Sequence, residues 1–477
     1  MRITLIYLFI FSIGWSQASL ELSLQDALRL SDENNLTLKK ARLDYDVSVS
    51  QKQEAKSSAY PVISTFAQGT KNLSIATQPI SFPVPFGILD ATGNPVAQID
   101  ANGIPLPLRD AYGNVVPGQM QKTGIQLIPV NLAFGQDNTL VYGFNITQPL
   151  FDGRVLAALR SAGTYEIMAQ SGLNSQKSLI IEQTTSQYYS ALVTNRVLAV
   201  MKKSLELANR HLKDAQALYA IGNAAELSVI QAEVRVANAE TQVSQARKTK
   251  ELTQSMLKRT CGLPMDQDII LTEQLDAPVE DIPTYKELSK KLLENQPILR
   301  QLEANQKLMR ENILLKKAEF MPSLALTGSY SQQLPYNDGQ FSDGVFREAS
   351  SVGVALSFPI FNGFGSKARL DQAKATFQSS KYTYKDTENA LLMELSQLYY
   401  SAKEAILRIS AGDKQVNLAH RGAEIAESLY QKGMSTDLEY QDAINGLRQA
   451  ELGLAQAYYE YHTALAGIQR STGINNF

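Results

Sequence analysis

The segment TQPLFDG, residues 147–153, returns as SFPIFNG at 357–363, so that Pro149, Phe151 and Gly153 are echoed by Pro359, Phe361 and Gly363 at an offset of 210 residues. An internal repeat constrains a fold more than composition can, because two copies of one sequence pattern imply two copies of one structural unit. The repeat extends well past seven residues. LYAIGNAAELSVIQAEVRVANAETQVSQA from Leu218 aligns with LYQKGMSTDLEYQDAINGLRQAELGLAQA from Leu429 at offset 211, carrying Tyr219, Gly222, Leu227, Ala232 and Ala239 onto Tyr430, Gly433, Leu438, Ala443 and Ala450. A looser match sets AYPVIS at 59 beside FMPSLA at 320, with Pro61 on Pro322 at offset 261. The drop from 261 to 210 places a 51-residue insertion in the first half only.

The 477 residues therefore read as two similar halves rather than as a string of unrelated domains. MRITLIYLFIFSIGWSQA, with Arg2, an apolar run from Ile3 to Trp15 and the small residues Ser16 and Ala18, reads as a secretory signal peptide over 1–18. The run is shorter than the roughly 20 apolar residues a membrane-spanning helix needs. A formal net charge of −2 gives no electrostatic case for nucleic acid. Cys261 is the single cysteine, so no intramolecular disulfide can form, and its residue type near a helix end fits a small buried hydrophobe.

Proline divides the chain. Eight of the 17 prolines lie between Pro79 and Pro129, none lies between 150 and 263, and none follows Pro359. Because proline costs about 3 kcal/mol inside a helix, the two proline-free tracts are where long helices can form. They predict two helical hairpins, over 153–262 and 364–472, reversing at IGNAA and at the matching KGMST. Residues 22–59 and 285–320 also have a helical pattern, so each half is expected to set one long helix against two shorter ones stacked end to end.

Between the helices the period changes to two. LVYGFNIT alternates Leu140, Tyr142, Phe144 and Ile146 against Val141, Gly143, Asn145 and Thr147, and SVGVALSF does the same with Val352, Val354, Leu356 and Phe358. SLALTGSYS sets Leu324, Leu326 and Tyr330 against small and polar residues, whereas VISTFAQGT alternates poorly. The predicted strand pairs are 61–77 with 139–150 in the first repeat (19–263), and 321–334 with 350–360 in the second (285–477). Residues 264–284 link the two. Strands this long, in an exported chain, match tilted membrane strands. Four strands cannot close a barrel, and lipid tolerates no open sheet edge, so the chain is expected to share a barrel with copies of itself.

These features together resemble the outer membrane efflux proteins, the TolC-like channels of Gram-negative bacteria. The carriers are LSLQDALRLSDENN near the start, TQPLFDG with its echo SFPIFNG, and the doubled LYxxGxxxxL hairpin with its alanine-spaced return helix. The resemblance implies a mainly α protein with membrane β structure. It implies a homotrimer whose protomers each give four strands to a twelve-stranded outer membrane β-barrel and their helices to a long periplasmic α-helical tunnel. It further implies a passive exit duct for a tripartite efflux or type I secretion system, docked with a periplasmic adaptor protein and an inner membrane pump of RND or ABC type. Alternatives are a periplasmic adaptor, or a surface receptor or adhesin acting through the insertion.

Site expectations follow from the same resemblance. The hairpin tips Gly222, Asn223, Gly433 and Met434 match where the adaptor docks, and Glu439 and Asp442 match the acidic residues that ring the pore constriction. Tyr430 is a candidate gate contact. At the positions where family members carry an ionic latch, this chain has Ser228 and Ser435. The lipidated branch's N-terminal cysteine is also lacking. The insertion, 78–138, carries DATGNPV, DANGIPL and DAYGNVV at ten-residue spacing, which predicts three turns joined by extended pieces on the outer side of the membrane. Calcium binding by Asp90, Asp100 and Asp110 is the sharper reading, though turn spacing alone does not assemble six to eight oxygen ligands. No phosphate loop, nucleophile motif or metal-ligand spacing is found, and His211, His420 and His462 all fall in helical tracts, so neither an enzymatic role nor a cofactor is expected.

Overall fold

The computed structural model describes residues 20–86, 88–89, 95–96, 102, 107–109, 111–120, 124–133, 135–276, 279, 281–338, 345–432 and 434–473. The signal peptide, Gly433, and Asp90, Asp100 and Asp110 lie outside the described residues. In chain order the elements begin with β1 (Leu20–Leu22), α1 (Leu24–Asn34), α2 (Leu36–Ser57), β2 (Val62–Lys71), β3 (Thr77–Phe86), β4 (Ile88–Leu89), β5 (Pro95–Val96), β6 (Pro107–Arg109), β7 (Val115–Met120) and β8 (Gly124–Ala133). They continue with β9 (Asn138–Phe151), α3 (Gly153–Ala220), α4 (Glu226–Cys261), β10 (Ile269–Leu271), α5 (Tyr285–Asn295), α6 (Pro297–Ala318), β11 (Ser323–Tyr336), β12 (Arg347–Ser357), α7 (Gly365–Gln431) and α8 (Asp437–Thr472). They form two compact units: a helical one of 1–57, 153–321 and 359–477, and a β unit of 58–152 and 322–358. The chain crosses between units at the repeated segments, which is why it carries them twice.

In the helical unit the two proline-free tracts are the hairpins α3–α4 and α7–α8, with 68- and 67-residue outgoing helices and 36-residue return helices. Alanines seven residues apart are buried on both return helices, Ala232, Ala239 and Ala246 on α4 and Ala450, Ala457 and Ala464 on α8. Small side chains at that period let a helix lie close along its neighbour in a shallow left-handed coil. A different stripe on α7 stays uncovered. Tyr382, Met393, Tyr400, Leu407, Leu418 and Ile425 fall within about 20° of one line at 100° per residue, yet are 59–71% exposed in the single chain.

The expectation of one helix over 285–320 needs correcting, because α5 and α6 are separated at Gln296, as α1 and α2 are at Asn35. Pro297 explains the second break, since its ring suits the first turn of a new helix and not the interior of an old one. The breaks are equivalent in the repeat. Asn35 Nδ2 donates to the Thr260 carbonyl at 2.9 Å, and Gln296 Nε2 donates to the Ser471 carbonyl at 3.0 Å, so each break is pinned to the C-terminal end of a return helix. The core gathers at this level. Tyr188, Leu257 and Cys261 pack with Leu22 in one cluster, and Leu288, Leu292, Leu395, Tyr461 and Ile468 in another. β1 and β10 add a short parallel pair.

In the β unit a four-stranded sheet has the order β12-β11-β9-β2, with every neighbour antiparallel. The register puts Ile63, Phe144, Ile146, Leu326, Tyr330, Val352 and Val354 on one face and Ser64, Asn145, Thr147, Thr327, Ser329 and Ser351 on the other. Phe144 stacks on Tyr330 at 5.3 Å across the apolar face, and Ser329 and Ser351 hydrogen bond at 2.8 Å across the polar one. Within the insertion, β3 and β8 form a ten-rung ladder, longer than the short extended pieces expected there, and β4–β5 and β6–β7 are small pairs. Pro79, Pro83 and Pro129 occupy one alternate set of rungs. Having no N–H, they sit where the donor would point outward, so both outer edges of the ladder are poor templates for further strands.

The strand expected over 350–360 ends at Ser357. Beyond it Gly363 and Phe364 take φ of 65° and 64°, a left-handed pair that breaks the extended run before α7. Gly153, its partner in the repeat, does another job. It lies in α3, where an added Cβ would come 2.9 Å from the Cβ of Ala318. No helix among the described residues is long and apolar enough to cross a membrane.

Candidate functional site at the hairpin tips

The first hairpin reverses through Gly222, whose φ of 79° lets its N–H reach the Tyr219 carbonyl and the Asn223 N–H reach that of Leu218. In the second hairpin Met434 N–H donates to the Leu429 carbonyl at 2.9 Å, the same closure 211 residues on. Asn223 and Met434 project from the turns, and both are exposed.

Glu439 is committed to its own helix. It is the third residue of α8 and closes a capping box with Thr436, accepting from the Thr436 N–H at 2.8 Å and from the Ser435 hydroxyl at 3.0 Å. Those hydrogen bonds, that of the Thr436 backbone first, hold its carboxyl below the usual range. Asp442 lies one turn further, exposed, bordering a cavity of about 330 Å³ between α3, α4 and α8. Ser228 and Ser435 make no ionic contact: the Ser228 N–H closes the first turn onto Ala225, and Ser435 belongs to the cap.

The charged contact at this level is elsewhere. Asp437, the first residue of α8, lies 2.6 Å from His211 Nε2 on α3 and 2.6 Å from an Arg235 guanidinium nitrogen on α4. His211 is only 6% exposed and forms a triangle of stacked rings with Tyr430 of α7 and Tyr440 of α8, its centroid 5.5 and 6.1 Å from theirs and the two tyrosines 5.2 Å apart. Both tyrosine hydroxyls are pushed up by burial. For Asp437 burial acts upward but is outweighed by the Arg235 hydrogen bond and the His211 charge, so the carboxyl is held below its usual range. Neither ring nitrogen of His211 has a directed hydrogen bond, so the guanidinium supplies the aimed half of the arrangement. The sequence singled out Tyr430, as a candidate gate contact, but did not join it to His211, Arg235, Asp437 or Tyr440. His211 and Asp437 are 226 residues apart, and neither sits in a local pattern that announces a partner.

A four-stranded antiparallel sheet with one apolar face, and twin helical hairpins related by an internal repeat, are the architecture of the outer membrane channel class. The sequence profile described as "Outer membrane efflux protein" matches residues 126–263 and 288–474, well over half the chain. The chain belongs to that family. Among curated relatives it is similar to the alkaline protease secretion protein AprF of Pseudomonas aeruginosa, 22% identical over 71% of this chain and 70% of that one. It is similar also to the probable efflux pump outer membrane protein TtgC of Pseudomonas putida, 21% identical over 96% and 84%. Among solved structures, the Campylobacter jejuni CmeC outer membrane channel superposes with a TM-score of 0.73 at 17% identity, covering 94% of this chain and 85% of that one.

Proposed function

We propose that three copies of this chain form one passive exit duct, in which twelve strands close a barrel in the outer membrane and the helical hairpins line a periplasmic tunnel. The observation that carries the reading is the pair of open sheet edges. β2 and β12 end the order β12-β11-β9-β2 and run antiparallel to each other, so β2 of one copy can continue onto β12 of the next without breaking the alternation. In lipid each unpaired backbone group costs several kcal/mol, so a ring of copies removes a penalty that a lone sheet could not avoid. The uncovered apolar stripe on α7 supports the same assembly, because a neighbouring copy would bury it over about 65 Å of helix.

The duct hydrolyses nothing, and its driving force comes from an inner membrane pump reached through a periplasmic adaptor at the tips around Gly222, Asn223, Gly433 and Met434. Three copies of Glu439 and Asp442 would ring the pore at those tips, Glu439 serving as helix cap and Asp442 facing the cavity in each copy. Two hairpins and a membrane-type sheet argue against the adaptor alternative, which would need one hairpin between small β domains. The test is the mass of detergent-extracted protein by light scattering. Three chains per particle are expected, and a stable monomer with native β content would refute the assembly.

A further inference from the structure

We propose that the β3–β8 ribbon of the insertion is an interface between copies of this chain: three ribbons lean over the outer mouth of the duct and cover it by packing their apolar faces together. The inference rests on the channel reading above and adds a device at its outer end. β2 follows α2 and β9 leads into α3, so the ribbon joins the ends of those two strands that lie away from the helices along the chain. Pairing of β2 with β9 runs to Lys71 and Asn138, the Asn72 N–H then donates to the Asp137 carbonyl at 2.7 Å, and the ribbon's first rung is Thr77 with Ala133. Gly135 lies in the gap with φ of 147°, a value that side chains rarely adopt, and gives the chain a bend between sheet and ribbon.

The two faces of the ribbon differ. Its register puts Ile80, Phe82, Ile128, Val130 and Leu132 on one face, with Ile80 opposite Val130 and Phe82 opposite Ile128. Phe82, Ile128, Val130 and Leu132 are 37–42% exposed in the single chain. The other face carries Thr77, Ser81 and Asn131 among its prolines. Neither ten-residue strand contains a charged residue, although about a quarter of the residues in ordinary domains are charged. Because a lone two-stranded ribbon is marginal at best in water, this one needs cover over its apolar face. Prolines on both edges discourage a further strand, so the cover must come face to face. With no lysine or arginine on either strand, the ribbon has no cationic hold on lipid phosphates. Copies of the ribbon are at hand, because its root β2 is the edge strand that meets β12 of the next copy in the duct. Twelve strands about 4.8 Å apart and tilted by about 40° enclose a ring about 24 Å across, which sets the axis about 12 Å from each root. A ribbon of this length reaches about 30 Å. Three such ribbons leaning inward therefore meet.

The test is cysteine cross-linking in the purified, full-length assembly, with single-channel current recorded in a planar bilayer. Val130→Cys puts a thiol on the apolar face and Asn131→Cys puts one on the other, while native Cys261 is 0% exposed and out of reach of an added oxidant. Mild oxidation is expected to link Val130→Cys chains into dimers and to lower the unitary current, which a reductant restores. Asn131→Cys chains should stay single. Adding Phe82→Glu to Val130→Cys should cut the yield of dimer about tenfold, because it sets three carboxylates beside one axis. Ile128→Cys, on the same face, serves if Val130→Cys assembles poorly. Trimers that cross-link at neither position, or cross-linked trimers of unchanged current, would overturn the cover and leave the duct standing. Outer membrane lipid held by wild-type trimers and lost with Phe82→Glu, in the absence of any cross-link, would assign the face to lipid and overturn it too. Particles that are not trimers by light scattering would overturn the duct reading and the cover with it.

Discussion

Acidification should destabilise this protein through one imidazole on α8. His462 is 8% exposed, stacks face to face on Tyr189 with ring planes 4° apart, and donates to the Leu275 carbonyl. Burial depresses it from 6.5 to about 4. The unfolded chain therefore takes up this proton first as pH falls. Stability from the neutral ring is fully present above 6.5 and is lost progressively toward 4. The whole gap corresponds to about 3 kcal/mol per chain, of which about 2 kcal/mol is lost between about pH 7.5 and about pH 5. For a chain of this size that is a fall of about 2 °C in melting temperature. Glu182 works in the opposite sense, because burial raises its carboxyl despite Arg470, so the wild-type curve alone is not diagnostic. The informative comparison is with His462→Phe, which keeps the ring stack, forfeits the Leu275 hydrogen bond at every pH, and has no proton to take up. Melting of both proteins in detergent should show the variant lower at neutral pH but less sensitive to acid by about 2 °C. An equal acid shift in the two proteins would refute the assignment.

Asn35→Ala should cost about 2–4 kcal/mol, because Asn35 both caps α2, through the N–H groups of Thr37 and Leu38, and satisfies the buried Thr260 carbonyl. Gln296→Ala removes only the carbonyl contacts, since Gln296 makes no side-chain cap and Pro297 already starts α6, and should cost about 1–3 kcal/mol; heat or protease resistance of the trimer ranks the two. Bulky substitutions at Asn223 or Met434 should abolish export from cells without lowering trimer yield, and equal loss of both would make the tips structural. Replacing Glu439 and Asp442 together with Ala should abolish block by a trivalent cation added on the tip side and reduce cation selectivity, since six carboxylates would otherwise face one constriction. Unchanged block would remove these residues from the pore.

Much of this fold was legible in the sequence because its determinants are periodic. Proline-free length pointed to both hairpins, alternation to three of the four strands in the β12-β11-β9-β2 sheet, and Gly222 to the first reversal. The helix breaks were missed for different reasons. Gln296 was signalled by Pro297, and the helical pattern was simply carried across it, whereas Asn35 has no breaker beside it and acts through a side chain that reaches Thr260. β12 ends at Ser357 because its partner β11 begins at Ser323, a limit set by the register between strands that one strand's own sequence does not show. At the tips, the first turn was readable from Gly222. The carboxylate that joins the hairpins was not, since Asp437 finds its partners only after both hairpins have folded. Glu439 shows the converse, a position singled out for the pore whose local geometry is that of a helix cap.

The central claim is that the chain forms a passive channel, and the most direct measurement is the current through purified wild-type protein in a planar bilayer with salt on both sides and no nucleotide. Stable unitary steps, driven by voltage alone, are the predicted result. A folded, trimeric preparation that never carries current under those conditions would contradict the account.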